Sequence, residues 1–237
     1  MRLDQYLVQE GIFKSRSKAQ EALKNKAVTV DGVIRKASFD VSDIPNIEIT
    51  GFVNPYVSRS GLKLEKAIVD FKIDFKDKIV LDVGAATGGF TEVSLKYGAK
   101  KVYAVDVGKL QLVDKLKDDE RVISYESTNI LDVDDTFFTE GAPNLIVMDV
   151  SFVSITKILP SIKGFADKIV VLIKPQFESN GKFLHNGVIR DQKLVEVVVA
   201  SVQKFIRDEG FTVKGITKSP IKGKEGNTEY VAYLIKK

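Results

Sequence analysis

The chain has 237 residues, 44% hydrophobic and 29% charged, enough for one sizeable core and a smaller one beside it. It has no cysteine and one histidine, His185, which excludes disulfides, thiolate chemistry and multi-histidine metal sites. Net charge is only +4, so affinity for nucleic acid has to come from where the charge sits.

The first fifty residues read as a separate small unit. Leu3, Leu7 and Val8 mark the apolar side of a short helix ending at Gly11. Ser15 or Ser17 can cap a second helix; Ser17-x-x-Gln20 fits a capping box, with Ala19, Ala22 and Leu23 as the buried stripe. Val28–Val30 and Val33–Arg35 flank Asp31-Gly32, the signature of a tight hairpin. Between Lys14 and Lys36 seven basic residues face two acidic ones, more positive charge than the whole chain carries. Such a cluster is either a phosphate-contacting surface or a solvated face, and Arg16, Lys18 and Lys24 do not share one side of a helix. Pro45 to Pro55 breaks regular structure and reads as a linker.

A helix should follow, because Leu64, Ala67, Ile68 and Phe71 recur on one face, with Lys63 beside it. Five apolar runs come next, at 78–83, 101–107, 122–126, 144–150 and 168–174, separated by helical segments near 88–97, 111–117 and 154–163. Runs without polar alternation are expected of parallel strands covered on both faces. A long helix, 191–208, leads to strands at 211–217 and 229–235; their connection is too short for a crossover helix, so this pair should be antiparallel. The class is therefore α/β, with a mostly parallel sheet preceded by a small α+β unit.

The first of these strands runs into Asp82-Val-Gly84-Ala-Ala-Thr-Gly88-Gly89-Phe90. A phosphate-binding P-loop needs Lys-Ser/Thr after the glycines, and a dinucleotide fingerprint needs glycine where Ala86 stands. What remains is D-x-G-x-x-x-G-G, with Asp106 closing the second strand as a ribose-gripping acid. S-adenosylmethionine (SAM) fits this better than NAD, although an ordinary strand-to-helix turn would look similar. Asp106, Asn129, Asp149 and Lys174 each close an apolar strand, and ligands of open α/β sheets sit at that edge.

Several segments carry a family resemblance: VSRSGLK (57–63), DVGAATGGF (82–90), DVSFV (149–153), KPQFE (174–178) and GNTEY (226–230). Together they resemble the haemolysin-A-like (TlyA-like) family of rRNA ribose 2'-O-methyltransferases, within the wider FtsJ-like RNA methyltransferases. RLDQYL and SRSKAQEALKNKAVTVDG resemble the alpha-L RNA-binding module. The resemblance covers nearly the whole chain. It implies an RNA-binding domain over 1–50, a linker over 51–57 and a Rossmann-like SAM-dependent methyltransferase domain over 58–237. It implies a catalytic set of Lys63, Asp149, Lys174 and Glu229. It places cofactor contacts among Asp82, Gly84, Ala85, Thr87, Gly88, Gly89, Phe90, Asp106, Val107, Asn129, Ile130 and Asp149, with no metal. RNA contacts fall on Arg2, Lys14, Arg16, Lys18, Lys24, Lys26 and Arg59, the partner being ribosomal RNA or a ribosomal subunit.

A ribose hydroxyl is a poor nucleophile near neutral pH, so a base must take its proton or a cation must stabilise the emerging alkoxide. The expectation is that Lys174 activates the hydroxyl and Lys63 holds the ribose, with both carboxylates orienting the amines. A second basic run, Lys214, Lys218, Lys222 and Lys224, could guide RNA, and the long connection 177–190 reads as a lid with His185 at its surface. Two rivals stand beside this reading: a non-catalytic RNA-binding assembly factor, and a membrane-active protein of the kind a haemolysin label implies. The opening MRLDQYLVQEG lacks an apolar signal core and no run is long enough to span a bilayer, so a cytoplasmic location is expected.

Overall fold

The structure, a computed structural model, describes residues 1–237 and divides into two units, residues 1–55 and 56–237. In the first, α1 (Leu3–Gln9) and α2 (Arg16–Lys24) pack on a three-stranded sheet of β1 (Val28–Val30), β2 (Val33–Ile34) and β3 (Ile47–Ile49), ordered β2-β1-β3. Leu3, Leu7, Phe13, Ala19, Leu23 and Val28 form its core. The hairpin turn has Asp31 at φ +51° and Gly32 at φ +74°, the left-handed pair that a two-residue turn needs to match strand twist.

Two local expectations are corrected. Ser15, not Ser17, caps α2, accepting the Lys18 N–H at 3.4 Å; Gln20 turns away to Asp4 instead of closing a capping box. The supposed linker contains β3, which pairs antiparallel with β1, Val28 opposite Ile49. Three largely exposed residues between a proline and a glycine give almost no periodic signal. Their pairing comes from the neighbouring strand.

The second unit begins with α3 (Ser60–Phe71), then alternates β4 (Ile79–Val83), α4 (Gly89–Lys96), β5 (Lys101–Val105), α5 (Asp114–Lys117), β6 (Val122–Tyr125), β7 (Leu145–Met148), α6 (Ile155–Ile162) and β8 (Lys168–Ile173). After these come α7 (Pro175–Glu178), α8 (Gln192–Asp208), β9 (Phe211–Lys218) and β10 (Tyr230–Lys236). Strand order is β6-β5-β4-β7-β8-β10-β9, the first five parallel and β10 antiparallel to both neighbours. Both faces are covered, which explains the mainly apolar strands: Ile158 and Ile206 close one side, Leu64 and Val93 the other.

The topology also fixes where a ligand can lie. From β4 the chain steps outward through β5 to β6, then returns to β4's other side with β7. The crevice at the carboxyl ends of β4 and β7 is thus the switch point of the sheet. Gly84 and Asp149 stand there, one residue beyond each strand.

Candidate active site

The glycine turn is shaped by close backbone approach. Gly84 has φ +83°, and a Cβ on it would lie 2.9 Å from the Asp149 carbonyl oxygen, so only glycine lets the segments after β4 and β7 meet. Ala86 also sits at positive φ, +46°, and donates its N–H to Asp106 Oδ2 at 2.8 Å. Asp106 Oδ1 accepts from Gly108 N at 2.7 Å. Asp106 therefore braces the turn against the loop after β5 while each oxygen keeps a lone pair for a ligand.

Beside this brace lies a cavity of about 520 Å³ with apolar walls from Val107, Ile130, Leu131 and Phe152. Val107 is 72% exposed and Phe152 91%, unusual for apolar side chains unless something lies against them. Asn129 Oδ1 accepts from Leu131 N, which leaves its amide N–H groups available to a ligand edge. Glu126 holds the loop that brings Gln111 to this cavity: its carboxylate accepts from the N–H groups of Leu110, Gln111 and Leu112 and pairs with Lys117. The Leu112 N–H contributes most to holding that carboxyl down at about 2. Sequence reasoning placed Glu126 at a strand end without giving it this role.

A second cavity, about 770 Å³, shares Gly84, Ala86, Asp149, Ser151 and Phe152 with the first. The four predicted catalytic residues meet on its wall. Lys63 Nζ lies 2.8 Å from Glu229 Oε2 and 3.5 Å from Asp149 Oδ2. Lys174 Nζ lies 2.7 Å from Asp149 Oδ1 and 2.8 Å from Ser151 Oγ. Lys63, Lys174 and Glu229 are all under 8% exposed, and two cations matched by two anions keep so buried a cluster neutral. Lys63 is not beside the apolar stripe of α3, as expected, but within it, one turn before Ala67. Gln176 Nε2 donates to Glu229 Oε1 at 3.2 Å, extending the network to Gln176 at one end and Ser151 at the other. Neither residue was singled out from sequence.

The remaining predicted contacts divide. Ala85, Thr87, Phe90 and Arg59 line the larger cavity, and Val107 and Ile130 the smaller. Asp82, Gly88 and Gly89 line neither. Asp82 is fully buried beneath the turn, accepting from Thr91 Oγ1 at 2.6 Å, and burial pushes its carboxyl up to about 7. A Cβ at Gly88 would strike Leu112 and Leu116, and one at Gly89 would strike Ser58 and Ser60, so these glycines serve packing. No group of three or more metal-ligating side chains comes together.

The segment after β8 is partly ordered by side chains. Glu178, on α7, accepts from Ser154 Oγ and Ile155 N, tying the loop that carries Ser151 and Phe152 to α7. Asn227 accepts from Ile189 N at 3.1 Å and donates to Gly187 O at 2.8 Å, stapling the 181–189 loop to the basic loop before β10. His185 pairs through its backbone with Val188 and lines neither cavity.

In the first unit, Asp4 is wholly buried and holds two of the predicted RNA contacts. Its oxygens receive Arg2 Nε at 3.0 Å and Arg16 Nε at 2.8 Å, together with the Gln20 amide. The Arg2 bond is foremost in holding this carboxyl well below the usual range. Both guanidiniums stay about half exposed. Lys14, Lys24 and Lys26 are exposed, whereas Lys18 reaches the Asn54 carbonyl and lies 3.8 Å from Glu21.

A glycine turn at the switch point, a braced acid after β5 and a buried amine–carboxylate cluster together describe a group-transfer enzyme of the nucleoside-cofactor α/β type. Residues 56–236 match the FtsJ-like methyltransferase family and residues 1–43 the S4 domain; the chain belongs to the FtsJ-like methyltransferases. Among its relatives, Hemolysin A of Brachyspira hyodysenteriae is 48% identical over 99% of this chain and all of that one. The 23S rRNA (cytidine-2'-O)-methyltransferase TlyA of Campylobacter jejuni is 38% identical over the full length of both. A proposed hemolysin from Streptococcus thermophilus has the same fold with a TM-score of 0.80, at 41% identity, covering 100% of this chain and 88% of that one. No helix is long and apolar enough to cross a membrane.

Proposed function

We propose that the chain transfers a methyl group from SAM to a ribose 2'-hydroxyl of ribosomal RNA, on cytidine as the Campylobacter relative's name states for that protein. The observation that carries this is the convergence of Lys63, Asp149, Lys174 and Glu229 on the wall of the larger cavity, with Asp149 also lining the smaller one. A donor seated in one cavity and an acceptor in the other would meet there.

The residues present fit the cofactor. The apolar slot between Ile130, Leu131 and Val107 suits an adenine ring, the free lone pairs of Asp106 suit ribose hydroxyls, and the Asn129 amide suits a base edge. When bound, SAM supplies an electrophilic methyl group. The chain's own task is to bring the acceptor oxygen to that point and take its proton. Lys174 Nζ, with Asp149 and Ser151 on two sides, presents its remaining direction to the larger cavity. Lys174 would act from its neutral form, having first released its own proton to solvent. As the methyl group exchanged its bond to sulfur for one to the ribose oxygen, the hydroxyl O–H bond would break and the proton pass to Lys174 Nζ, where Asp149 Oδ1, 2.7 Å away, balances the restored ammonium charge. Lys63, fixed by Glu229, holds the ribose from the other side.

RNA recognition follows from charge. Arg59, Lys222 and Lys224 ring the mouth of the larger cavity, and the S4 unit adds Arg2, Arg16, Lys14, Lys24 and Lys26. Phe152, almost fully exposed at the junction, offers a ring face to an unstacked base. The test is to incubate intact ribosomal subunits and naked rRNA with radiolabelled SAM and map the label. Label on a ribose 2'-oxygen is the expected result; SAM binding without transfer would mean an assembly factor that keeps only the fold.

A further inference from the structure

We propose that Ser151 is a positioning residue that aims the Lys174 amine, an inference that rests on the methyl-transfer reading and extends the buried set to a fifth side chain. Asp149 holds both amines, but by charge more than by direction. Lys174 Nζ is 2.7 Å from Asp149 Oδ1, yet that oxygen receives no directed hydrogen bond. Lys63 Nζ is 3.5 Å from Asp149 Oδ2, an ion pair at long range. Coulomb attraction depends on separation alone, whereas a hydrogen bond also fixes angle.

The directed bonds go elsewhere. Lys63 donates to Glu229 Oε2 at 2.8 Å, and Lys174 donates to Ser151 Oγ at the same distance. Asp149 therefore balances the charge of both amines, Glu229 aims one, and Ser151 aims the other. The Phe177 ring, with its centroid 5.9 Å from Lys174 Nζ, gives no comparable direction. Ser151 also lines both cavities, so the amine it aims stands where donor and acceptor meet. Glu178, by holding Ser154 and Ile155, keeps the loop bearing Ser151 in place. A serine here accepts the Lys174 hydrogen bond without adding a third anion to a balanced cluster.

The experiment compares wild type with Ser151→Ala and Ser151→Thr in single-turnover methylation at saturating SAM and rRNA, with calorimetric SAM affinity and RNA affinity measured separately. Ser151→Ala should slow the transfer step about tenfold or more, since small misplacements of a reacting group are costly. Both affinities should stay within about twofold, and Ser151→Thr, which keeps the hydroxyl, should recover most of the rate. A Ser151→Ala rate equal to wild type, a loss explained by weaker SAM binding, or a Ser151→Thr variant as slow as Ser151→Ala would overturn the proposal. A second readout does not need turnover: in lysine-labelled protein, the chemical-shift separation of the two diastereotopic Cε protons of Lys174 should narrow in Ser151→Ala and be kept in Ser151→Thr. If wild type fails to methylate rRNA while that narrowing occurs, the proposed function fails and the positioning role stands; an unchanged separation in Ser151→Ala would sink the role itself.

Discussion

Lys63 and Glu229, 166 residues apart in sequence, form a buried 2.8 Å ion pair that joins the first turn of α3 to the start of β10. Removing one partner leaves the other charged and buried. Glu229→Leu should lower unfolding free energy by roughly 3–5 kcal/mol, measured by urea denaturation, and Lys63→Met added to it should restore part of the loss. Additive destabilisation in the double variant would show that the pair is not coupled.

Asp82 gives a pH dependence of definite sign. Burial raises its carboxyl from the ordinary 3.8 to about 7, so the folded chain holds that proton more tightly than the unfolded chain does. Its stabilising contribution is complete below about pH 4 and is lost as pH rises through about 7. Asp82→Asn carries no titrating proton. The melting temperature of wild type relative to Asp82→Asn should therefore fall from pH 4 to 7 and level off above, by scanning calorimetry. A difference that stays constant over this range would contradict the assignment.

Asp4 should matter to RNA binding through the arginines it holds. Asp4→Ala frees both guanidiniums and should weaken rRNA affinity as well as the first unit's stability, whereas Lys24→Ala should weaken affinity alone. In the Lys24→Ala variant the salt slope of binding should fall by about one unit if that lysine meets a phosphate. An unchanged slope would make Lys24 an ordinary solvated charge. Filter binding across a salt series gives the answer.

Glu126 predicts a cofactor effect without contact to the reacting centre. Glu126→Gln removes the charge that gathers three N–H groups of the loop bringing Gln111 to the smaller cavity and should weaken SAM binding by about tenfold, read by calorimetry, while rRNA affinity is unchanged. Wild-type SAM affinity in this variant would remove Glu126 from the account.

What the sequence made legible followed from local periodicity and from strand ends. The parallel strands were visible as mainly apolar runs, and Asp106, Asp149 and Lys174 because each stands directly after such a run; Asn129, expected to close a strand, instead lies four residues beyond β6 and caps the turn that follows. Lys63 was harder: a lysine near an apolar stripe ordinarily lies with its amine in water, and only its partners Asp149 and Glu229, both remote in sequence, keep it inside. Asp4, Ser151, Gln176 and Asn227 had no local signal at all, because their roles are defined by residues brought near through tertiary structure. Strand β3 was hidden for a related reason, its three residues being paired by β1 and not by any pattern of their own.

The most direct measurement is single-turnover methylation of the rRNA substrate by Lys174→Met, with SAM affinity determined alongside. Loss of about a hundredfold or more in the transfer rate, with cofactor binding retained, is the predicted result. Near wild-type transfer by this variant would contradict the account, because the proton of the acceptor hydroxyl would then be leaving by another route.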